Sequence, residues 1–283
     1  MSSIAWITGA GGLIGSYVVA AARELAPDWT LVPITRAHME LTDYRAVKAA
    51  FHSAQPGVVI HCAAMSRSPA CEADPREAHR QNVEVTRCLA EAATDIPLLL
   101  LSTDQVFDGR TGYYDEHAPV NPLGVYGVTK VEAERCVLAN PRHSVIRTSL
   151  NGGRSPTGDR GFNELMRRAW AEGQTLNLFD DEFRNPIHAR FTARAAWQIL
   201  LAASPGLYHV AGSEVLSRWD IGEQMKARWL KLSPRTRKTS LRDYSGAPRP
   251  PNTTLNISKA LKVPGVQLPS FTEWLAAEPP GTF

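Results

Sequence analysis

Thr8-Gly9-Ala10-Gly11-Gly12-Leu13-Ile14-Gly15 joins a short apolar run to a segment whose apolar residues recur at helical spacing. Glycines at 9, 12 and 15 give the spacing G-x-x-G-x-x-G. Gly9 permits a tight turn, Gly12 lets the backbone approach a pyrophosphate, and Gly15 allows close packing of the helix. Unpaired N–H groups at the helix start suit an anion. The residues predicted to contact a dinucleotide here are Gly9, Gly12, Leu13 and Ile14. The alternative is a glycine-rich turn without a ligand.

Short apolar runs alternate with helical patterns after this loop. The runs that predict strands cover 4–8, 31–34, 58–61, 98–101 and 144–147, and helical patterns between them include 43–51 and 74–94. Strict alternation with right-handed crossovers predicts an open parallel sheet, which binds ligands at the carboxyl ends of its strands. The fold class is therefore α/β, a doubly wound parallel sheet of the Rossmann type with a smaller C-terminal substrate-binding lobe.

A loop rich in glycine and serine over 151–161 marks a change in organisation. After it we predict a helix near 162–172, a strand near 175–178, a helix over 191–203 and a strand over 207–211. The predicted domains are a dinucleotide-binding domain over 1–150, to which 187–212 returns, and a substrate-binding lobe formed by 151–186 and 213–283.

The end of the second predicted strand indicates which dinucleotide binds. An NAD-preferring fold places a carboxylate about 20 residues beyond the loop, but this chain reads Ile34-Thr35-Arg36-Ala37-His38. Arg36 can pair with a 2′-phosphate, which points to NADPH, with NADH as the alternative. Glu40 and Leu41 follow, and we expect them to lie beside the adenine.

A tyrosine and a lysine with helical spacing form the candidate proton-donating site. In Tyr126-Gly127-Val128-Thr129-Lys130 the two side chains share a helix face, so the ammonium can favour the charged form of the phenol. A phenol with a pKa of about 10 needs that help near neutral pH. Thr103 ends the apolar strand just upstream and is expected at the same edge of the sheet. The alternative is an exposed helix pair.

The composition is that of an ordinary globular protein, with a formal charge of +3 and a pI near 8.7. No clustered basic run of the kind that binds nucleic acid is present. The four cysteines form no C-x-x-C pair and the histidines and carboxylates have no metal-ligand spacing, so we expect neither disulfides nor a metal. We find no signal-peptide pattern and no run of about 18 apolar residues, so we expect a cytoplasmic chain without a membrane partner. Small molecules are the expected partners, and self-association into a homo-oligomer is left open.

Several motifs together resemble the extended short-chain dehydrogenases/reductases. They are Thr8 to Gly15, Ser102-Thr103-Asp104, Tyr126 with Lys130, and Arg147-Thr148-Ser149. Within that superfamily the chain is most similar to the dTDP-4-dehydrorhamnose reductase branch. This narrower resemblance rests on Ser102-Thr103-Asp104-Gln105-Val106-Phe107-Asp108-Gly109, Tyr114, Glu116, Pro122, Leu207-Tyr208-His209-Val210-Ala211-Gly212 and Arg249-Pro250-Pro251-Asn252.

The resemblance implies an NADPH-dependent carbonyl reductase with Thr103, Tyr126 and Lys130 as its catalytic residues. Tyr126 would protonate a carbonyl oxygen as hydride arrives from the nicotinamide, Thr103 would orient that oxygen, and Lys130 would stabilise the tyrosinate and bind the nicotinamide ribose. The implied substrate is a nucleotide-linked 4-keto sugar or a related polyhydroxylated ketone. Further implied coenzyme contacts are Ala63, Ala64 and Met65. The implied substrate contacts are Thr103, Asp104, Gln105, Leu150 and Arg184.

Two positions depart from that branch. Gln105 stands where an aromatic residue commonly follows Ser-Thr-Asp, and Leu150 stands where tryptophan commonly follows Arg-Thr-Ser, so a stacking surface for a sugar or base is missing. The substrate can therefore differ from dTDP-4-dehydrorhamnose. The alternative functions are a sugar-nucleotide epimerase of the same superfamily and a non-catalytic NADP-binding regulatory subunit. Gln105 disfavours a dehydratase, which needs a glutamate there.

Basic residues of the predicted substrate lobe allow two interpretations. They either bind a diphosphate or lie on solvated faces. The residues concerned are Arg154, Arg160, Arg167, Arg168, Arg184 and Arg190.

Overall fold

A parallel sheet of six strands forms the centre of the computed structural model, which describes residues 3–279. Within that range the strands are β1 (Ile4–Thr8), β2 (Thr30–Ile34), β3 (Val58–His61), β4 (Leu98–Thr103), β5 (Ser144–Thr148), β6 (Asn151–Gly152), β7 (Thr175–Phe179), β8 (Phe183–Arg184), β9 (Ile187–His188), β10 (Gly206–Val210), β11 (Leu216–Ser217) and β12 (Arg235–Thr239). The order across the main sheet is β2-β1-β3-β4-β5-β10, and neighbouring strands are parallel. The predicted doubly wound sheet is therefore confirmed.

Helices cover both faces of this sheet. Over the described residues they are α1 (Leu13–Leu25), α2 (Tyr44–Ala54), α3 (Ser68–Ala73), α4 (Pro75–His79), α5 (Val85–Ala92), α6 (Val125–Leu138), α7 (Phe162–Ala171), α8 (Ala189–Leu201), α9 (Arg218–Lys226) and α10 (Phe271–Ala277). Alternate residues of β1 face the two layers, because Ile7 packs in the core with α1 and α8 whereas Trp6 packs in the core with α2 and α5. Burial on both faces explains why Leu98–Thr103 begins with four leucines.

The helical region before β4 is more divided than the sequence predicts. We predicted one helix over 74–94, but the chain forms α3 first, then α4, a π-helical turn over Arg80–Glu84, and α5. Asp74 separates α3 from α4, since its side chain accepts the Glu77 N–H and so caps a new helix. The short α3, which carries a proline in its first turn, is an element that the sequence reading missed.

A smaller layer of short strands and helices lies beyond β5. It contains three two-stranded pairs, β6 with β9, β8 with β11, and β7 with β12. Its core is built from α7, α9 and α10 and includes Trp170 of α7, Trp274 of α10 and Trp229. The chain then rejoins the main sheet, because α8 packs on α1 and β10 pairs with β5. The division into two domains stays a prediction, and its outermost residues, 1–2 and 280–283, lie outside the described range.

The carboxyl ends of the main strands open toward the smaller layer. Between them lies a cavity of about 940 Å³, lined by the loops after β1, β2, β3, β4 and β5. This is the edge at which an open parallel sheet binds its ligands. No helix within residues 3–279 combines the length and hydropathy needed to cross a bilayer.

Candidate active site

The cavity brings together most of the residues singled out from the sequence. Those on its wall are Gly9, Gly12, Leu13, Ile14, Arg36, Glu40, Leu41, Ala63, Ala64, Thr103, Asp104, Gln105, Tyr126, Leu150 and Arg184. Two predicted coenzyme contacts are not on the wall, Met65 and Lys130. Met65 instead packs beside Tyr126, and its backbone N–H donates to Oδ1 of Asn82 at 2.8 Å.

Backbone geometry at the glycine loop suits a pyrophosphate. Gly9 has a φ of +68°, and a Cβ there would lie 2.6 Å from the Ala63 nitrogen. A Cβ at Gly15 would overlap the Gly9 carbonyl oxygen. Helix α1 has no side-chain cap and no acidic residue in its first turn, so its leading N–H groups are left for an anion at the cavity wall. The loop therefore fits a dinucleotide.

The far end of the same cavity carries the predicted 2′-phosphate contact. Arg36 donates from Nη2 to Oε1 of Gln81 at 3.0 Å, and its positive charge also acts on the carboxylates of Glu40 and Glu77. Glu40 accepts the Thr42 hydroxyl at 2.8 Å, and hydrogen bonds from Thr42 lower the pKa of the carboxyl. No carboxylate replaces Arg36 at the end of β2.

Tyr126 and Thr103 face each other across the start of α6 and the end of β4. Both side chains are buried and line the cavity. Burial raises the pKa of Tyr126 above its ordinary value, the negative charge of Asp104 adds to this, and the neighbouring Thr103 hydroxyl opposes it. This direction differs from the lowered pKa that the Tyr-Lys spacing predicts. The phenol therefore holds its proton firmly, as a donor must before reaction.

The position of Lys130 explains why the pKa of Tyr126 is not lowered. Its Nζ donates to the Leu101 carbonyl at 2.8 Å, and the side chain is only 1% exposed. Burial lowers the pKa of Lys130 to about 8, while the negative charge of Glu134 opposes that shift. The ammonium is therefore anchored to the backbone of β4, beneath the cavity wall, where its effect on the phenol is outweighed by burial and Asp104.

Asp104 and Arg184, two predicted substrate contacts, are held by other protein groups. Oδ2 of Asp104 accepts the hydroxyls of Ser149 and Thr253, each at 2.8 Å, and Oδ1 accepts that of Thr103 at 3.1 Å. Arg184 Nη2 lies 3.0 Å from Oε1 of Glu182, and its Nε lies 3.7 Å from Oδ2 of Asp104. Both side chains shape the wall, and direct contact with a substrate stays a prediction.

Gln105 and Leu150, which stand where an aromatic residue was expected, have different surroundings. Gln105 Oε1 accepts the Ser68 hydroxyl at 3.1 Å, which ties the end of β4 to α3. Leu150 packs against the core of the smaller layer and still reaches the cavity wall. At these two positions the cavity wall is therefore formed by an amide and an aliphatic side chain.

A polar and aromatic group at the outer part of the cavity was missed by the sequence reading. Arg249 pairs with Glu182 through two hydrogen bonds of 2.9 Å, and its guanidinium lies 5.4 Å from the centre of the Phe179 ring and 5.6 Å from that of Tyr244. Arg218 also lines this part of the cavity. Burial lowers the pKa of Arg218 to about 10, and the negative charge of Glu182 opposes this shift. Among residues 3–279 its guanidinium makes no hydrogen bond to another group.

The six arginines suspected of binding a diphosphate divide into two sets. Only Arg160 and Arg184 reach the cavity wall. Of the others, Arg168 pairs with Glu172 at 3.0 Å and Arg190 with Glu278 at 2.5 Å. Arg154 and Arg167 are exposed. Separately, no set of three or more His, Cys, Asp or Glu side chains within the described range is arranged to hold a metal ion.

Relatives with about 30% identity span most of the chain. A probable low-salt glycan biosynthesis reductase of Haloferax volcanii is 32% identical over 235 residues, which are 78% of this chain and 78% of the relative. The dTDP-4-dehydrorhamnose reductase of Sinorhizobium fredii is 30% identical over 282 residues and covers 94% of this chain and 93% of its own. The methionine adenosyltransferase 2 subunit beta of Xenopus laevis is 30% identical over 273 residues, 92% of this chain and 82% of its own.

Solved structures share the fold over almost the full length. A hypothetical dTDP-4-dehydrorhamnose reductase from Sulfolobus tokodaii has a TM-score of 0.83 at 27% identity and covers 96% of this chain and 97% of its own. The dTDP-4-dehydrorhamnose reductase of Bacillus anthracis in complex with NADP has a TM-score of 0.88 at 23% identity and covers 98% of each chain. At that identity the second likeness shows the fold alone.

A family model for the RmlD substrate binding domain matches residues 4–278. The match runs from the start of β1 through α10, so it includes the glycine loop, the Tyr126 helix and the arginines of the outer cavity. The chain therefore belongs to the RmlD substrate-binding-domain family.

Proposed function

We propose that the protein reduces the keto group of a nucleotide-linked 4-keto sugar, of the dTDP-4-dehydrorhamnose kind or a related polyhydroxylated ketone, with NADPH. It is an NADP-dependent oxidoreductase of the extended short-chain dehydrogenase/reductase type. One observation carries the proposal. A single cavity runs from an uncapped, glycine-lined helix start, past a buried phenol, to a guanidinium that makes no hydrogen bond within residues 3–279.

The chemistry assigned to this chain is proton transfer and orientation. When bound, the reduced nicotinamide supplies the hydride. Tyr126 donates its phenolic proton to the carbonyl oxygen as negative charge develops there, and Thr103, next to that phenol, holds the oxygen in line. Lys130, fixed to the Leu101 carbonyl, keeps a positive charge behind the phenol at neutral pH and so favours the tyrosinate that forms.

The outer cavity supports an anionic substrate. Arg249 already has a carboxylate partner in Glu182, but Arg218 has no such hydrogen-bonded partner among the described residues. A partly desolvated guanidinium without a hydrogen bond gains most from a phosphate that can accept several of its N–H groups. Phe179 and Tyr244, also on the wall, offer aromatic surface beside it for a sugar or base.

The test is a turnover assay with a graded panel of ketones. Purified protein and NADPH are incubated with dTDP-4-dehydrorhamnose, with a UDP-linked 4-keto sugar, and with a small ketone that lacks phosphate, while NADPH absorbance is followed. We expect turnover with at least one nucleotide-linked ketone and little with the small ketone. Turnover that is no better with the nucleotide-linked ketones than with the small ketone would overturn the substrate class.

A non-catalytic regulatory subunit is the second candidate, because relatives at 30% identity include methionine adenosyltransferase 2 subunit beta. That function predicts tight NADP(H) binding, no turnover with any ketone in the panel, and copurification with a larger enzyme. Binding measured by coenzyme fluorescence, alongside the turnover assay, separates the two functions.

A further inference from the structure

Helix α6 places a third ionisable side chain on the face that carries Tyr126 and Lys130. Glu134 follows Lys130 by four residues, as Lys130 follows Tyr126, so all three lie along one side of the helix. Each of the three is buried, and Glu134 is only 3% exposed. A buried carboxylate is costly unless it is paired and hydrogen-bonded, so its position here requires an explanation.

The last three residues of β4 each meet one of these three side chains. The Leu101 carbonyl accepts from Nζ of Lys130 at 2.8 Å. The Ser102 hydroxyl donates to Oε1 of Glu134 at 2.5 Å. Thr103 lies beside Tyr126, and its hydroxyl acts on the pKa of the phenol. Hydrogen bonds thus join the strand end to the helix at Leu101 and Ser102, and Glu134 makes the bond next to Thr103.

Arg147 on β5 completes the surroundings of Glu134. Its Nη2 donates to Oε2 at 2.7 Å and its Nε donates to both carboxylate oxygens at 3.1 Å. The other side of the guanidinium lies 5.1 Å from the centre of the Phe107 ring. Glu134 is therefore fully hydrogen-bonded, and it does not line the cavity.

We infer that Glu134 is a positioning residue for the proposed reduction: it holds Ser102 and Thr103 against α6 and keeps Lys130 in its ammonium form. This inference rests on the proposed function of the same site. Glu134 acts through Ser102 and Lys130, because it does not line the cavity itself.

The other groups that face Lys130 do not supply a charge. Burial lowers the pKa of His61 to about 3, so this ring is neutral, and burial raises the pKa of Cys62 to about 12, so this thiol keeps its proton. Tyr126, on the same helix, is also protonated at neutral pH. Glu134 is left as the negative group acting on the ammonium, with the positive Arg147 on its far side limiting the effect.

The test follows Lys130 directly by NMR in protein labelled with ¹³C at Cε of lysine. The chain has seven lysines, and the signal missing from Lys130→Met identifies residue 130. We expect Glu134→Gln to lower the titration midpoint of Lys130 by about one pH unit, since a nearby negative charge has been removed. Ser102→Ala is the matched control, because it removes a hydrogen bond to Glu134 without changing charge, and it should leave the midpoint in place.

A second variant guards against misfolding, since Glu134→Gln leaves Arg147 buried without its partner. The double variant Glu134→Gln/Arg147→Gln removes both charges and should also titrate at lower pH than wild type. An unchanged Lys130 midpoint in either folded variant, or an equal shift in Ser102→Ala, would overturn the inference.

Kinetics then separate this inference from the proposed function. In an active enzyme, Glu134→Gln should lower kcat by about ten- to a hundredfold with little change in KM, and the loss of kcat at alkaline pH should move to lower pH with the Lys130 midpoint. If no ketone is reduced even by wild type but the NMR midpoint shifts, the proposed function fails while the link from Glu134 to Lys130 stands.

Discussion

At the scale of single residues, the environment of Tyr126 decides what this side chain can do. Burial and the Asp104 charge hold its pKa above the ordinary phenol value, so the phenol is protonated at any physiological pH. In the proposed reaction it gives this proton to the oxyanion that develops on the substrate. We expect Tyr126→Phe to lower kcat/KM by about 10²- to 10⁴-fold while NADPH binding is unchanged. Tyr113→Phe, at an exposed tyrosine outside the cavity, is the control and should behave as wild type in steady-state kinetics. Full activity in Tyr126→Phe would rule out the phenol as the acid.

The lowered pKa of Lys130 predicts how the free energy of unfolding changes with pH, and this can be tested without a substrate. Its pKa is lowered from 10.5 to about 8 by burial. Below about pH 8 both folded and unfolded chains hold this proton, and the penalty for burying the ammonium is fully present. Between about pH 8 and 10.5 the unfolded chain holds a proton that the folded chain has released, so the free energy of unfolding rises with pH.

We therefore expect wild type to gain on the order of 3 kcal/mol of stability relative to Lys130→Met across that interval. The measurement is urea unfolding of both proteins at a series of pH values. The difference between them isolates Lys130 from cysteines and tyrosines that titrate in the same range. Parallel curves for the two proteins would show that Lys130 is not desolvated as the structure indicates.

At the scale of elements, the junction of β1 and α1 depends on the absence of side chains at particular glycines. A Cβ at Gly15 would overlap the Gly9 carbonyl oxygen, whereas a Cβ at Gly11 would meet the Thr35 side chain at ordinary contact distances, 3.5 Å to Cγ2 and 3.9 Å to Cβ. We expect Gly15→Ala to cost about 1–3 kcal/mol of stability and to weaken NADPH binding, because α1 must shift away from the loop. Gly11→Ala should keep a stability close to that of wild type. Thermal unfolding compares the two variants and coenzyme fluorescence follows Gly15→Ala, and an equal loss of stability in both variants would contradict this account.

Local patterns were sufficient to predict these elements. The glycine loop, the wholly apolar β4 and the Tyr126 helix each depend on a pattern of a few consecutive residues. The structure has them where the sequence predicts. The π-helical turn after α4 was not predictable, since its residues have the same helical periodicity as their neighbours. The raised pKa of Tyr126 was also missed, because spacing along a helix reveals that Lys130 shares a face but not that its ammonium binds the Leu101 carbonyl.

At the scale of the whole molecule, the outer cavity is assembled from parts of the chain that are far apart in sequence. Thr253 donates to Asp104 across 149 positions, and Arg249 approaches Glu182 across 67. Such contacts depend on how β8, β11 and the segment after β12 fold back over the main sheet, and no local pattern reports this. For that reason the sequence pointed to six arginines of which only two reach the cavity, and it missed Arg218 altogether.

Arg218 joins the smaller layer to the cavity that the substrate is proposed to occupy. It starts α9 in the smaller layer, yet its guanidinium borders the cavity at the edge of the main sheet.

If it binds a phosphate of the substrate, Arg218→Gln removes a charged hydrogen bond worth about 1.5–3 kcal/mol. We therefore expect KM for a nucleotide-linked ketone to rise by roughly ten- to a hundredfold, with kcat nearly unchanged because the phenol and its neighbours are untouched. Arg168→Gln is the matched control, since that guanidinium pairs with Glu172 at the surface, outside the cavity. Steady-state kinetics with the nucleotide-linked ketone and with a phosphate-free ketone complete the test: the Arg218 variant should lose its advantage for the first and keep whatever activity wild type has on the second. An equal rise in KM for both ketones would mean that Arg218 supports the fold of the cavity rather than the recognition of an anion.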